Sequence, residues 1–364
     1  MAVVARTRWR WDEAGGLWRR PGLTLAVAVP PPQPPSAAML YGTTQYAYQQ
    51  LQDALWAANP GATMGIRRFY ENDIPSTATG TGIMADYNAT PRRASWVSYS
   101  GPGVSTVLSS GFTSTLASYF ASIPAGHRVL FTWKHEANNK SDEKLGGATR
   151  AAFRDAQRKI WEVKEANAQT PANISVGIIL TAEPYRLGTA DEYSAPAGYC
   201  DFLGADPYRF WRDTSDPSYL PDPKTNGPGS NRTMAYLIGD GLAHGQGMPQ
   251  LAETYGVPVA LGEYGAHPRT SDHTSRPLWL QETHDYLTNL SVGCLAAIYF
   301  HSPRGESGPW WLDRFHTYAP ETVVVPNPNP PPDTMAIYNV ERDEGAPDPD
   351  SINKWAALVA GQGA

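Results

Sequence analysis

The chain has 364 residues, of which 29 are basic and 35 acidic, and its formal net charge is −6. This balance does not favour a nucleic-acid partner, which a basic stripe would indicate. The length suffices for one barrel-sized domain with extensions or for two smaller domains. Only 18% of the residues are charged, whereas there are 12 Trp and 19 Tyr. This composition suits neutral, ring-shaped ligands such as sugars, although Trp and Tyr are also ordinary core residues.

Eight short β-prone runs alternate with helix-like segments in the central part of the chain. Strands are predicted at 39–42, 63–69, 95–99, 129–133, 174–180, 202–205, 257–265 and 295–300. Helices are predicted at 46–58, 113–123, 147–168, 234–255 and 277–290. The alternation extends over about 280 residues and fits an α/β fold of the (β/α)8 TIM-barrel type better than an open sheet. No glycine-rich phosphate loop is found, which disfavours the nucleotide-binding folds.

Proline-rich segments flank the predicted barrel, which we assign to residues 39–325. Residues 1–38 form a Trp/Arg-rich N-terminal arm that ends in a proline-rich linker. Residues 326–364 form a second proline-rich linker with a short helix-like stretch at 351–359. Proline runs are stiff, extended spacers. Either they join the barrel to a larger assembly, or both tails wrap the barrel.

The two cysteines, Cys200 and Cys294, fall beside the sixth and eighth predicted strands. Two strand spacings separate them by about 10 Å, which is too far for a disulfide. We therefore expect two buried free thiols. The start of the chain lacks the apolar core of a signal peptide. No apolar stretch is long enough to cross a membrane, so no membrane partner is expected.

Two glutamates, Glu136 and Glu263, follow the fourth and seventh strands. Strands four and seven are not neighbours, so their C-terminal ends face each other across the mouth of a barrel, where ligands bind. Glycoside hydrolysis needs one carboxyl group to protonate the leaving oxygen and a second to attack or to activate water, and a separation of about 5–5.5 Å marks the retaining route. The acid has to keep its proton near neutral pH, whereas the nucleophile needs donors that keep it ionised.

Three short motifs carry a resemblance to glycoside hydrolase family 26. Residues 135–138 read His-Glu-Ala-Asn, which resembles the acid/base motif of that family. Residues 261–265, Leu-Gly-Glu-Tyr-Gly, are similar to its strand-seven nucleophile motif, and residues 204–208, Gly-Ala-Asp-Pro-Tyr, to its strand-six segment. The resemblance implies Glu136 as acid/base, Glu263 as nucleophile and Tyr208 as a donor to the nucleophile. Residues 139–142 differ from the Gly and aromatic residues usual after the acid/base motif, so the sugar stays unassigned.

Other residues near predicted strand ends are candidates for binding the substrate. Arg67 and Arg68 end strand two; either one of them points into the mouth, or they form surface ion pairs. Trp310 and Trp311 follow strand eight, and an indole face suits a sugar ring. Glu183, at the end of strand five, is the alternative acid if Glu136 is structural. The predicted substrate-binding residues are His135, Asn138, Tyr208, Arg67, Trp310, Trp311 and His301.

Three histidines at strand ends, His135, His267 and His301, raise the question of a metal site. The sequence contains neither His-x-His nor His-Glu-x-x-His spacing. We therefore predict no catalytic metal and no cofactor. An amidohydrolase-type metal barrel is a third, less favoured interpretation.

The motifs favour a retaining glycoside hydrolase with a polysaccharide substrate. The alternative is a glycan-binding or structural barrel of a larger assembly, with little or no catalysis. In its composition, which is rich in Ala, Gly, Pro and Trp and poor in Lys, the sequence resembles tail proteins of phages that infect actinobacteria. In that case the terminal arms would dock to other virion tail proteins, and the substrate would be a glycan of the bacterial cell envelope. Localisation in a virion or outside the cell by a non-classical route is expected, and a cytoplasmic location stays open.

Overall fold

The computed structural model describes residues 10–12, 17–19, 39–44, 48–89, 92–139, 142–209, 233–266, 275–300 and 349–360. Eight parallel strands close into a barrel, because each strand pairs with the next and the eighth pairs with the first. The predicted (β/α)8 barrel is therefore confirmed. The strands are β1 Leu40–Thr44, β2 Ile66–Glu71, β3 Ala94–Tyr99, β4 Val129–Trp133, β5 Ile174–Thr181, β6 Phe202–Asp206, β7 Val259–Ala266 and β8 Cys294–Tyr299.

Each predicted helix lies close to an observed one, except at 234–255, and the structure adds three short helices that were not predicted from the sequence, at residues 82–87, 104–108 and 182–187. The segment 234–255, predicted as one helix, forms two helices. Gly239, Gly241 and Gly245 lie between the two helices, and each has a positive φ angle. Such φ angles are incompatible with a continuing right-handed helix. The helices are α1 Tyr48–Ala58, α2 Gly82–Tyr87, α3 Val104–Leu108, α4 Ser110–Ser122, α5 Arg150–Asn167, α6 Ala182–Leu187, α7 Met234–Leu237, α8 Met248–Tyr255, α9 Ser275–Thr288 and α10 Pro349–Ala360.

Both faces of the barrel strands are buried. On β4, Leu130 belongs to the apolar cluster inside the barrel, whereas Val129 and Phe131 belong to the larger core under the helices. Successive side chains of a strand point to opposite faces, which produces this alternation. The interior cluster consists of Ile66, Ala94, Trp96, Leu130, Ile179, Phe202, Ala260, Ala296 and Ile298.

The C-terminal helix α10 packs against α1 and α9 on the outside of the barrel. Trp355 is fully buried, and its indole nitrogen donates to the hydroxyl of Tyr264 at 3.1 Å. At the first turn of α10, the Arg276 guanidinium donates to the Ser351 hydroxyl at 2.9 Å. The last described helix is therefore part of the barrel's packing.

Residues 1–36 form a separate compact unit. Its described part is an antiparallel pair of short strands, Arg10–Asp12 and Leu17–Arg19, in which Trp11 lies opposite Trp18.

Cys200 and Cys294 are buried free thiols, as predicted. Among the described helices, none combines the length and the apolar character needed to cross a membrane.

Candidate active site

Glu136 reaches the barrel mouth through an irregular segment that directly follows β4. Lys134 and Glu136 both adopt left-handed backbone conformations, with φ angles of 56° and 54°. The backbone amide of Glu136 donates to the carbonyl of Ile179 in β5 at 2.8 Å, which fixes the segment against the neighbouring strand. Left-handed conformations of non-glycine residues are costly and persist where surrounding structure enforces them, often at functional sites.

Glu263 lies within β7, is almost fully buried and has hydrogen-bond donors on both carboxylate oxygens. The hydroxyl of Tyr70 donates to Oε1, and the hydroxyl of Tyr208 donates to Oε2. Nη1 of Arg68 lies 3.5 Å from Oε1. Three donors from β2 and from the segment after β6 thus converge on one carboxylate.

These neighbours decide the protonation state of Glu263. Burial by itself raises the pKa of a carboxyl group, because a charged group loses hydration. Here the charge of Arg68, the proximity of His135 and the two tyrosine hydroxyls outweigh burial, and the pKa of Glu263 is lowered below its ordinary value of 4.5. Glu263 is therefore an ionised carboxylate at neutral pH.

Arg68 and Asp206 form a buried pair inside the barrel, below Glu263. Nη1 of Arg68 lies 3.5 Å from Oδ1 of Asp206, and Nε donates to the hydroxyl of Ser98 at 3.1 Å. The pair passes directly over Gly262. A Cβ atom at that position would lie 2.5 Å from Asp206 Oδ1 and 2.7 Å from Arg68 Nη1. The glycine in the strand-seven motif is thus explained by the close approach of this pair.

His135 connects the carboxyl groups of the site. Its Nε2 atom lies 3.2 Å from Asp206 Oδ2 and 3.8 Å from an oxygen of both Glu136 and Glu263. Burial and the charge of Arg68 lower the pKa of His135 to about 4, so the imidazole is neutral at neutral pH. Burial raises the pKa of Asp206 well above its ordinary value. Of the two neighbouring carboxyl groups, Asp206 is therefore the one that takes up a proton more readily, and Glu263 carries the negative charge.

Glu136 is held by two residues that follow it in the chain. The side-chain amide of Asn139 donates to Oε2 at 3.0 Å, and Nζ of Lys144 lies 3.4 Å from the same oxygen. The side chain is partly open to solvent, with 18% exposure, compared with 11% for Glu263. The more exposed carboxyl group can exchange protons with solvent and substrate.

The structure brings Glu136, Glu263, His135 and Tyr208 together, as the sequence predicts. It brings Arg68 to the mouth, whereas Arg67 lies outside the barrel with Nη2 2.9 Å from Asp86 Oδ1.

Two other predicted residues have different surroundings. The amide of Asn138 exchanges hydrogen bonds with the side chain and backbone of Thr181, which ties the segment after β4 to the end of β5. Glu183 is exposed at the first turn of α6. Three predicted residues and one further histidine lie outside the described residues: His301, Trp310, Trp311 and His267.

Sequence reasoning missed Tyr70 and Lys144. Tyr70 is two residues beyond Arg68 on the same strand, so a correct choice between the two arginines would have found it. Lys144 carried no local signal, because it reaches Glu136 from eight residues further along through a turn.

One group in the described part of the chain has the spacing of a metal site. The ligand atoms of His135, Glu136 and Asp206 lie within 4.8 Å of one another. Lys144 beside Glu136 and Arg68 beside Asp206 place positive charge on two of the three members. This charge opposes the binding of a cation.

Several solved structures of glycoside hydrolases are similar to this chain in fold. The catalytic domain of the family 26 endo-β-1,4-mannanase from Bacillus sp. JAMB-750 is 14% identical, with a TM-score of 0.49 over 76% of this chain and 80% of that chain. The family 26 β-mannanase from Bacteroides ovatus is 11% identical, with a TM-score of 0.47 over 75% and 84%. A broad-specificity family 5 endoglucanase from Bacteroides salanitronis is 12% identical, with a TM-score of 0.49 over 89% and 93%. No protein-family model and no curated protein matches the chain.

Proposed function

We propose that this protein is a retaining glycoside hydrolase that cleaves a polysaccharide, with Glu263 as nucleophile and Glu136 as acid/base. The observation that carries the proposal is the contrast between the two carboxyl groups. Glu263 is buried, ionised and contacted by two tyrosine hydroxyls and Arg68. An oxygen of Glu136 lies 3.8 Å from the same imidazole nitrogen as an oxygen of Glu263, and the Glu136 side chain is more open to solvent.

In the first step, an oxygen of Glu263 bonds to the anomeric carbon while the bond from that carbon to the leaving oxygen breaks. The proton of Glu136 passes to the leaving oxygen. In the second step, a water molecule gives a proton to Glu136 and its oxygen to the anomeric carbon, and Glu263 departs as a carboxylate. Two displacements retain the configuration of the sugar.

The residues around Glu263 match the needs of a nucleophile. Arg68 and the two hydroxyls stabilise the carboxylate before it attacks the anomeric carbon and as it departs in the second step. His135 touches both glutamates and is neutral, so it can hold their relative position without adding a charge. The support comes from this geometry and not from the distant structural likenesses.

The test is the release of reducing sugar from a panel of cell-envelope and plant polysaccharides, including mannan, arabinan, galactan and β-glucan. Wild type is compared with Glu136→Gln and Glu263→Gln, and Glu183→Gln is the matched control at another strand end. We expect cleavage by wild type and the control, and a loss of at least about 1,000-fold in each of the other two.

Reaction with azide distinguishes the nucleophile from the acid/base. Azide can replace the missing carboxylate on the face of the sugar that the substitution opens. Glu136→Ala is expected to give a glycosyl azide of retained configuration, and Glu263→Ala one of inverted configuration. Binding of a glycan without cleavage by wild type would instead indicate a recognition module. Cleavage that survives both glutamine substitutions would exclude this pair.

The source of the polysaccharide and the role of the terminal arms in a phage tail stay predictions from the sequence alone.

A further inference from the structure

The Lys144 side chain lies beside Glu136 at the barrel mouth, and Lys134 precedes Glu136 by two residues. The ammonium of Lys144 donates to the carbonyl of His135 at 2.9 Å and lies 3.4 Å from Oε2 of Glu136. Lys134 directly follows β4, and its side chain has no hydrogen bond or ion pair within the described part of the chain. The two charges act on each other: burial lowers the pKa of Lys134, Asp73 opposes this effect, and Lys144 adds to it.

Lys144 is held in place by an anchored turn. It lies in the 3-10 turn Glu143–Leu145, in which Leu145 is buried. The residue before the turn, Asp142, accepts hydrogen bonds from the Tyr193 hydroxyl at 2.6 Å and from Arg150 Nε at 2.9 Å. A long side chain on a fixed turn loses less conformational entropy when it binds a ligand. The position is therefore suited to recognition.

The ammonium of Lys144 has capacity for a further partner. An ammonium group carries three N–H donors, and two are directed at the carbonyl of His135 and the carboxylate of Glu136. The Lys144 side chain is 38% exposed. When Glu136 carries the proton that a general acid needs, Lys144 no longer faces an anion there. An anion supplied by the substrate would restore the charge balance.

We propose that the Lys144 side of the mouth binds an anionic group, a carboxylate or a phosphate, on the sugar that leaves with the proton of Glu136. Lys144 is the principal contact and Lys134 the second. The proposal rests on the proposed hydrolase function and narrows its substrate to a charged glycan. It differs from the neutral ligand that composition alone favours.

The test measures retention of the full chain in native gels that contain polysaccharides paired by charge. One pair is polygalacturonate and its methyl ester, and the other is phosphomannan and the same mannan with its phosphate removed. Wild type is expected to bind the anionic member of at least one pair more tightly, and the pair that responds identifies the anion. Lys144→Met is expected to bind that member about tenfold more weakly, with its binding of the neutral member unchanged.

Three further variants complete the test. Lys144→Arg keeps the charge and is expected to keep the preference, whereas Lys134→Met loses part of it. Arg158→Met removes one exposed charge on α5 and is expected to bind as wild type does. The proposal is overturned by equal or absent retention on both members of each pair, or by wild-type binding of the anion in Lys144→Met. Because binding is read without cleavage, its failure is distinct from a failure of the sugar-release assay.

Discussion

Glu263 shows how single residues set the chemistry of the site. It lies in the interior of a closed barrel, where an isolated carboxylate would take up a proton. Arg68 supplies a charge, and Tyr70 and Tyr208 supply hydroxyl donors. These contacts lower the pKa of Glu263 by more than burial raises it, so the carboxyl group remains ionised.

Removing either hydroxyl tests this account. Tyr70→Phe and Tyr208→Phe are each expected to reduce kcat/KM by about 10- to 100-fold on the polysaccharide that the panel identifies, because a donor to the nucleophile is lost. The acid limb of the pH–activity profile, which lies below pH 4.5 if Glu263 governs it, should move upward. The sign follows because hydroxyl donors favour the ionised carboxylate, and their removal raises the pKa of Glu263.

The control is Tyr119→Phe, which removes a buried hydroxyl whose partner is Tyr99. It should keep the wild-type acid limb. An unchanged limb in Tyr70→Phe and Tyr208→Phe would show that the two hydroxyls do not set the ionisation of Glu263.

At the scale of elements, α10 is the clearest case of a segment whose role depends on its packing partners. The sequence predicts a short helix in the tail, and the structure packs it between α1 and α9. Trp355 contacts Tyr41 edge-on at a ring distance of 6.4 Å and donates to Tyr264, which is in the strand that carries Glu263. The helix therefore supports the outer side of β7.

Truncation of Trp355 should destabilise the whole barrel. Trp355→Ala removes a fully buried indole, and we expect a loss of about 3–5 kcal/mol in the free energy of unfolding. Asn353→Ala, on the exposed side of the same helix, should cost less than about 0.5 kcal/mol. Both values follow from urea unfolding monitored by circular dichroism. A loss below about 1 kcal/mol in Trp355→Ala would mean that α10 is not part of the cooperative unit.

At the scale of the whole molecule, buried histidines link stability to pH. His127, two residues before β4, is almost fully buried. Its ring forms a hydrogen bond of 3.0 Å with the hydroxyl of Ser95 and packs edge-on against Tyr87. Burial, with a smaller effect of Arg92, lowers the pKa of His127 from 6.5 to about 4. The folded protein therefore keeps this ring neutral over a range in which the unfolded chain binds a proton.

The direction of the pH effect follows from proton binding. Between pH 6.5 and about pH 4 the unfolded chain binds the additional proton, so stability falls as the pH falls. His127 contributes at most about 3 kcal/mol to this decrease. In His127→Gln, the loss of unfolding free energy between pH 6.5 and pH 4.5 should be smaller than in wild type. Urea unfolding across this range is the measurement, and parallel curves for both proteins would contradict the expectation.

The sequence by itself determined the alternation of strands and helices, because hydrophobic periodicity and Gly/Pro boundaries are local properties. It also placed Glu136 and Glu263 at the ends of non-neighbouring strands, which in a parallel barrel fixes the site at one mouth. His135 and Tyr208 came with the motifs that surround these glutamates. The helix predicted at 234–255 was an error, because Gly239, Gly241 and Gly245 interrupt it with positive φ angles.

The tertiary structure decided which side chains complete the site. In a closed barrel both faces of a strand are buried, so the pattern of β2 does not reveal whether Arg67 or Arg68 points inward. Because side chains two residues apart point to the same face of a strand, the inward orientation of Arg68 also places Tyr70 at the site. Lys144 reaches Glu136 only because an anchored turn folds back over the mouth. Long-range packing, which no local pattern encodes, therefore set the charges around both glutamates.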